Sequence, residues 1–429
     1  MTATLDDVTA LAREAARIGG PDQVLTSDEV RQFIVDQLAE ADLDGRSVCL
    51  VIPDGTRSSP LPLLLGAVHE ALVGRVSRLT ALIALGTHQA MSDQAIAKHL
   101  GYREGGLEAT YPGMTVLNHE WWKSETFVTL GTIGAERVGE LTHGLLATPA
   151  VVSLNRAVVE HDVALVVGPV FPHEVVGFSG GNKYFFPGIA GQEIIDLTHW
   201  VGALITSAEI IGTRGITPVR ALINEAADLI PSQKLALCVV ARSGTPDLHA
   251  ATFGSTEAAW ASAAEVSAET HVRYLDASVQ RVVSIMPSKY EDIWTAAKGF
   301  YKLEPVVADG GEVILYAPHV TEISATHHEI YDIGYHCRDY FVKQWDRFKD
   351  IHWGVLAHST HLRGAGTYDE VEGERCRVDV TLVTAIPEDK VRGANLGYIS
   401  PADFDLAAYE ADPETLVVPN AGEILFRLR

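Results

Sequence analysis

Short apolar runs rich in Val, Ile and Leu recur along the chain, separated by longer stretches in which apolar residues return at helical spacing. The runs Ser47–Asp54, Leu79–Gly86, Val163–Val170, Lys234–Ala241, Arg281–Met286, Gly311–Ala317, Gly354–Ala357 and Val378–Ile386 are the predicted strands. They are near-continuously apolar rather than alternating, the pattern of parallel strands covered by helices on both faces. An α/β fold follows. Helical spacing also marks Glu193–Leu204, and the N-terminal MTATLDDVTALAREAARIGG reads as an acidic amphipathic helix.

With 429 residues the chain exceeds one simple core, so two domains are expected, each a mostly parallel sheet flanked by helices, with the active site in the cleft between them. Breaks in the pattern near Ala277 and Asp412 divide it into an N-terminal domain, 1–276 with 412–429 returning to it, and a C-terminal domain, 277–411.

Open parallel sheets collect ligands beyond the carboxyl ends of their strands. Three predicted strands end on polar or ionisable residues: Asp54-Gly-Thr56-Arg57 after the first, Gly86-Thr-His88 after the second, and His173-Glu174 after the third. The third leads into GFSGGNKYFFPGIAG, Gly177–Gly191, with His199 beyond. Glycines permit positive φ and close ligand approach, and successive amides in such a turn suit phosphate. Neither the P-loop nor the dinucleotide-binding glycine spacing is present, so a tight turn with Lys183 facing solvent stays open. In apolar, aromatic surroundings Lys183 would instead become a nucleophilic amine able to tether a group covalently. His88 and His173 have the side chain suited to proton exchange near neutrality, and two such bases on opposite faces of one carbon are what a racemase needs. Arg57 can grip a carboxylate bidentately. Asp54 can orient a cofactor hydroxyl or Arg57 itself. Capping and surface ion pairing are the plainer alternatives for each residue.

Composition changes this picture in two ways. The net charge of −23 disfavours nucleic acid and anionic membranes as partners, and it requires local cations for any anionic substrate. The four cysteines are scattered without a C-x-x-C pair, which supports neither a disulfide framework nor a zinc ribbon. No signal peptide or long apolar span is read from the sequence, so the cytoplasm is the expected compartment.

Together DGTR at 54–57, LGTH at 85–88, PHEVVGFSGGNK at 172–183, PGIAG at 187–191, His199 and Lys298 resemble the nickel-pincer lactate racemase family, in order and over most of the chain. The resemblance implies a pyridinium-3-thioamide-5-thiocarboxylate mononucleotide attached to Lys183, holding nickel with His199 as protein ligand. Square-planar soft donation suits Ni(II). It implies cofactor contacts from Asp54, Thr56, Ser179, Gly180 and Gly181. It further implies that His88 or His173 takes the hydroxyl proton, that hydride leaves C2 and returns to the other face, and that Arg57 and Lys298 hold the carboxylate. A cofactor-synthesis machinery would be a required partner, and a homo-oligomer stays open. Lactate-type members carry Tyr-Gln where this chain has Trp294-Thr295, which removes an amide donor and opens volume. Further polar residues, His319, Thr326-His327-His328-Glu329 and His358-Ser-Thr360-His361, could meet extra hydroxyls. A 2-hydroxy acid larger than lactate, such as an aldonate, is therefore the expected substrate, with lactate or another short acid as the alternative. A zinc hydrolase built on His88, His173 and His199, or a non-catalytic cofactor-binding protein, remain the other readings.

Overall fold

The computed structural model describes residues 5–429, which divide into two compact units. The first comprises described residues up to Phe171, Phe178–Ile195 and Arg214–Thr270; the second comprises Pro172–Gly177, Asp196–Thr213 and His271–Arg429.

The first unit is built on a seven-stranded sheet ordered Ala16–Gly19, Leu248–Ser255, Gln233–Ala241, Val163–Pro169, Ser47–Pro53, Arg78–Ala84, Met114–Asn118. The last five run parallel, and the first two join them as an antiparallel edge. Every residue of Val163–Pro169 is buried, as a central strand covered on both faces must be. Helices supply the cover. Ser27–Glu40 begins with a capping box in which Glu29 N–H donates to Thr26 Oγ1 at 3.3 Å and Thr26 N–H donates to the Glu29 carboxylate at 2.8 Å. Its buried Val30, Phe33, Ile34 and Leu38 fall at helical spacing on one stripe. Chain order runs outward from Ser47–Pro53 through the next two strands, then returns to place Val163–Pro169 on its other side. Successive connections thus leave in opposite directions from these two neighbours, and this reversal is where an open α/β sheet offers a crevice. Asp54 and Val170, which leads to the glycine segment, follow their carboxyl ends.

The second unit has an all-parallel five-stranded sheet ordered Gly397–Ile399, Asp379–Thr384, Val307–Ala317, Val279–Ile285, Thr415–Val418. The tail departs from the expected return to the first domain. Thr415–Val418 pairs with Val279–Ile285, and Leu425–Leu428 pairs in parallel with Val272–Leu275. Residues 172–177 and 196–213 also belong to this second unit, so neither unit follows the expected boundaries.

Two local expectations are corrected. Gly354–Ala357 lies within the helix Trp353–Arg363, where Val355, Leu356, Ala357, Ser359, Thr360, His361 and Leu362 are all buried. A four-residue apolar run inside a helix buried on most sides has no periodicity to separate it from a strand. Near the N-terminus the helix stops at Ala12, and Ala16–Gly19 forms an edge strand against Leu248–Ser255. Gly19 has φ +77°, and a Cβ there would lie 2.2 Å from the His249 carbonyl oxygen. Among the described residues no helix is long and apolar enough to cross a membrane.

Candidate active site

In the first unit the strand-end residues converge. The buried Asp54 carboxylate receives the Thr56 amide at 3.1 Å and the Thr56 hydroxyl at 2.6 Å on Oδ1, and its Oδ2 meets His88 Nδ1 at 2.6 Å. Burial works to raise the Asp54 pKa, but the charge and hydrogen bond of His88, the Thr56 hydroxyl and the charge of Arg57 outweigh it and hold the carboxyl well below its ordinary range. An ionised Asp54 fixes the hydrogen of His88 on Nδ1 and leaves the Nε2 lone pair as a base. Trp121 Nε1 donates to the His88 carbonyl at 2.8 Å, and Gly86 N–H donates to the Gly188 carbonyl at 2.9 Å. The second contact ties LGTH to PGIAG. DGTR meets the glycine segment through Tyr184, whose hydroxyl feels the charges of Arg57 and Asp54 and is pushed up chiefly by burial.

Lys183 is half-buried in the 3₁₀ turn Gly181–Tyr184. The glycines before it meet protein on the side where a side chain would stand. Gly180 has φ +90°, and a Cβ there would lie 2.6 Å from Val170 Cγ2. Gly181 has φ +57°, and its Cβ would lie 2.7 Å from both the Thr256 carbonyl oxygen and Trp260 Cβ. The Gly181 amide is directed to the buried Cys238 sulfur. Packing thus explains these two glycines before any ligand does. Gly181→Ala is expected to destabilise the protein by about 1–3 kcal/mol, read by urea denaturation. Unchanged stability with impaired ligand binding would instead make the glycine a ligand-approach position. Ser179 is likewise committed to the chain: its Oγ accepts the Phe171 amide at 2.9 Å, and its own amide donates to the Phe171 carbonyl at 2.8 Å.

Sequence reading missed Arg220, which holds this segment from beneath. Its guanidinium donates to the Gly180 carbonyl at 3.0 Å and to the Phe178 carbonyl, and lies 4.1 Å from the Trp260 ring centroid. Burial lowers its pKa to about 9, so it remains cationic at neutral pH. The available signal was a basic residue on the apolar face of Pro218–Ala227, between buried Val219, Leu222 and Ile223.

The second unit carries the other predicted residues. His173 is buried, with Nδ1 3.2 Å from a Glu174 carboxylate oxygen and also 3.2 Å from the Val175 amide, which donates to it. The two contacts require opposite tautomers, and only the one facing Glu174 leaves Nε2 as a base. His199 is half-buried on the helix Gln192–Ile205. His361, read from sequence as a polar group for extra substrate hydroxyls, is a buried helical residue that feels the charges of Glu174 and His199 and accepts or donates at Nδ1 to Ser207 Oγ at 2.6 Å. Burial lowers its pKa to about 4, which keeps it neutral. Lys298 is buried with Nζ donating to the Thr295 carbonyl at 3.4 Å and 5.6 Å from the Tyr290 ring centroid. Trp294 stacks with His358 and with His327, at centroid separations of 3.7 and 4.2 Å. Thr295 serves the local helix: its amide and hydroxyl both donate to Asp292 Oδ1, at 2.9 and 2.7 Å.

A family model described as the lactate racemase N-terminal domain matches residues 32–211, the segment that contains Asp54, Arg57, His88, His173, Lys183 and His199. The lactate racemase of Thermoanaerobacterium thermosaccharolyticum is 27% identical over 158 residues, which is 36% of this chain and 32% of that protein. The chain is a homologue of the lactate racemase family, matched over that family's N-terminal domain. The chain thus spans about a third of the length of that curated relative in the sequence match. In structure, the fold agrees along nearly the whole chain. A Thermotoga maritima protein superposes with a TM-score of 0.86 at 31% identity, covering 96% of this chain and all of that one. The lactate racemase apoprotein of T. thermosaccharolyticum gives 0.66 at 19% identity over 94% and 93%, a likeness of fold.

Proposed function

We propose that this homologue is an isomerase that inverts C2 of a 2-hydroxy acid, using a nickel pincer nucleotide tethered to Lys183. The observation that carries this reading is the Asp54–His88 pair, held at 2.6 Å beside the segment bearing Lys183 where the first sheet reverses. The donor chemistry fits such a group: a half-buried primary amine for attachment, and a half-buried imidazole at His199 whose neighbour His361 carries no charge at neutral pH. When bound, the group supplies reversible acceptance of hydride from the substrate carbon.

The side chains do the rest. His88 takes the hydroxyl proton at Nε2 while ionised Asp54 stabilises the imidazolium that results. His173, with Glu174 on Nδ1, plays the same part for the opposite enantiomer. Arg57 and Lys298 bind the carboxylate, and they provide the local cations that an acidic protein needs to hold an anion. The substrate is a sugar acid such as an aldonate rather than lactate. Thr295 has its hydroxyl on Asp292, so the polar groups near Trp294 that can meet further hydroxyls come from the histidines, His327 above all. The protein works in the cytoplasm after loading by a separate cofactor-synthesis machinery.

Intact mass tests the tether directly. Protein produced together with that machinery is expected to carry an adduct of several hundred daltons that is absent from Lys183→Ala. No adduct in protein from cells shown to load a known family member would overturn the reading. For the substrate, epimer formation at C2 is measured across a panel of 2-hydroxy acids. A preference for lactate over aldonates would refute the sugar-acid assignment and leave the isomerase intact.

A further inference from the structure

We propose that Cys337, Glu374 and Cys376 form a binding site for a thiophilic divalent cation, with zinc as its natural probe. Among the described residues this is the one group of three such side chains whose ligand atoms all lie within 4.8 Å of one another. A hairpin builds it. Gly366–Asp369 pairs with Gly373–Cys376, and Glu374 and Cys376, two residues apart on one strand, present their side chains to the same face. That face meets Cys337, the residue that caps the helix Arg338–Val342. Gly366 lets the hairpin close: a Cβ there would lie 2.8 Å from Cys337 Cβ and 3.0 Å from Cys376 Cα.

Two thiols and one carboxylate are zinc donors, and a tetrahedral ion with bonds of about 2.0–2.3 Å needs its ligands roughly 3.3–3.8 Å apart. The group is therefore within an ångström or so of ligating geometry, with a fourth position for water. Glu374 is already aimed. Its Oε1 accepts the Cys337 amide at 2.6 Å, and its Oε2 meets His336 Nδ1 at 2.7 Å and Asn395 Nδ2 at 3.0 Å. His336 is itself fixed by stacking on Tyr340, with centroids 3.7 Å apart. Such outer hydrogen bonds orient a metal-bound carboxylate. Binding displaces the two thiol protons and joins the hairpin to the helix start across a sequence gap that contains no C-x-x-C signal. None of these residues is among those proposed above to carry the racemase chemistry.

The test is made on the full chain, purified under reductant. One equivalent of zinc is expected to be held against a chromogenic chelator, and cobalt(II) should give a thiolate-to-metal charge-transfer band. Cys337→Ser and Cys376→Ser should each weaken zinc binding at least tenfold and abolish the band. His199→Ala should leave both unchanged, which separates this site from the proposed cofactor ligand. The wild-type cobalt spectrum decides the matter even where a variant fails to fold. No charge-transfer band, zinc that is lost with His199, or a two-hydrogen mass loss reporting a Cys337–Cys376 disulfide in reductant-purified protein would each overturn the proposal.

Discussion

Asp54→Asn is expected to lower turnover by about 10²–10⁴-fold while leaving the adduct at Lys183 in place. The substitution keeps the size and most of the hydrogen bonding of the side chain. The Thr56 amide and hydroxyl still find an oxygen at Oδ1, so the turn after Ser47–Pro53 has no reason to rearrange. What changes is the partner of His88 Nδ1. At 2.6 Å a carboxylate accepts the imidazole hydrogen, whereas an amide nitrogen in its place donates. The ring then carries its hydrogen on Nε2, the atom proposed above to receive the substrate proton. His88→Ala should cost as much, and the double variant little more, because both changes remove one catalytic unit. KM should move far less than kcat. A variant retaining a third or more of wild-type turnover would remove the pair from the mechanism.

The same pair gives a signed pH dependence of stability. The folded Asp54 carboxyl sits below its ordinary range, so its stabilisation is fully present above the unfolded value of about 3.9 and is lost as pH falls through the folded one. Asp54→Asn lacks this contribution at every pH. The stability gap between wild type and variant, measured by denaturant titration, should therefore narrow as the solution is acidified below pH ~4.

Much of this was legible because parallel strands and strand ends leave local signals. Val163–Pro169 is apolar throughout since helices cover both of its faces, and polar residues such as Asp54 and His88 stand shortly beyond carboxyl ends of the sheet, the edge where open α/β folds are expected to bind ligands. Pairing within the first unit was less legible. Asp54 was read as a partner for Arg57 or a cofactor, yet its closest hydrogen-bonded neighbours are Thr56 and His88, the latter 34 residues away on the adjoining strand end. Contacts set by strand order rather than spacing have no sequence period. The tail failed for the same reason: Thr415–Val418 is a short apolar run that could join either sheet, and only the register with Val279–Ile285 assigns it to the second. Glycines misled in a different way. Positive φ at Gly180 and Gly181 was anticipated, but the cause is protein packed against them, which a sequence pattern cannot distinguish from a ligand. Cys337 and Cys376 were dismissed as scattered until a hairpin brought them together.

Arg220→Ala is expected to be the most damaging single change in the first unit, destabilising it by roughly 3–5 kcal/mol and abolishing attachment at Lys183. Both carbonyls that Arg220 holds, Phe178 and Gly180, belong to the segment that leads to Lys183, the proposed tether, and Arg220 is almost wholly buried. Truncation leaves those oxygens without their charged donor in a site too enclosed for bulk water. It also removes the cation from the face of Trp260, a contact worth about 2 kcal/mol when desolvated, and opens a cavity. Because the loop's glycines are seated on Trp260, the loss spreads to the turn that aims Lys183. Stability is read by urea denaturation and loading by intact mass, so the two consequences are measured separately. Arg220→Lys should recover part of the stability, since an ammonium can reach one carbonyl, but it cannot span both as the guanidinium fork does. Loading should follow that partial recovery. If Arg220→Ala folds with wild-type stability and still carries the adduct, the guanidinium does not organise the loop. Were stability lost while loading of the folded fraction stayed complete, Arg220 would be a packing residue with no part in placing the tether.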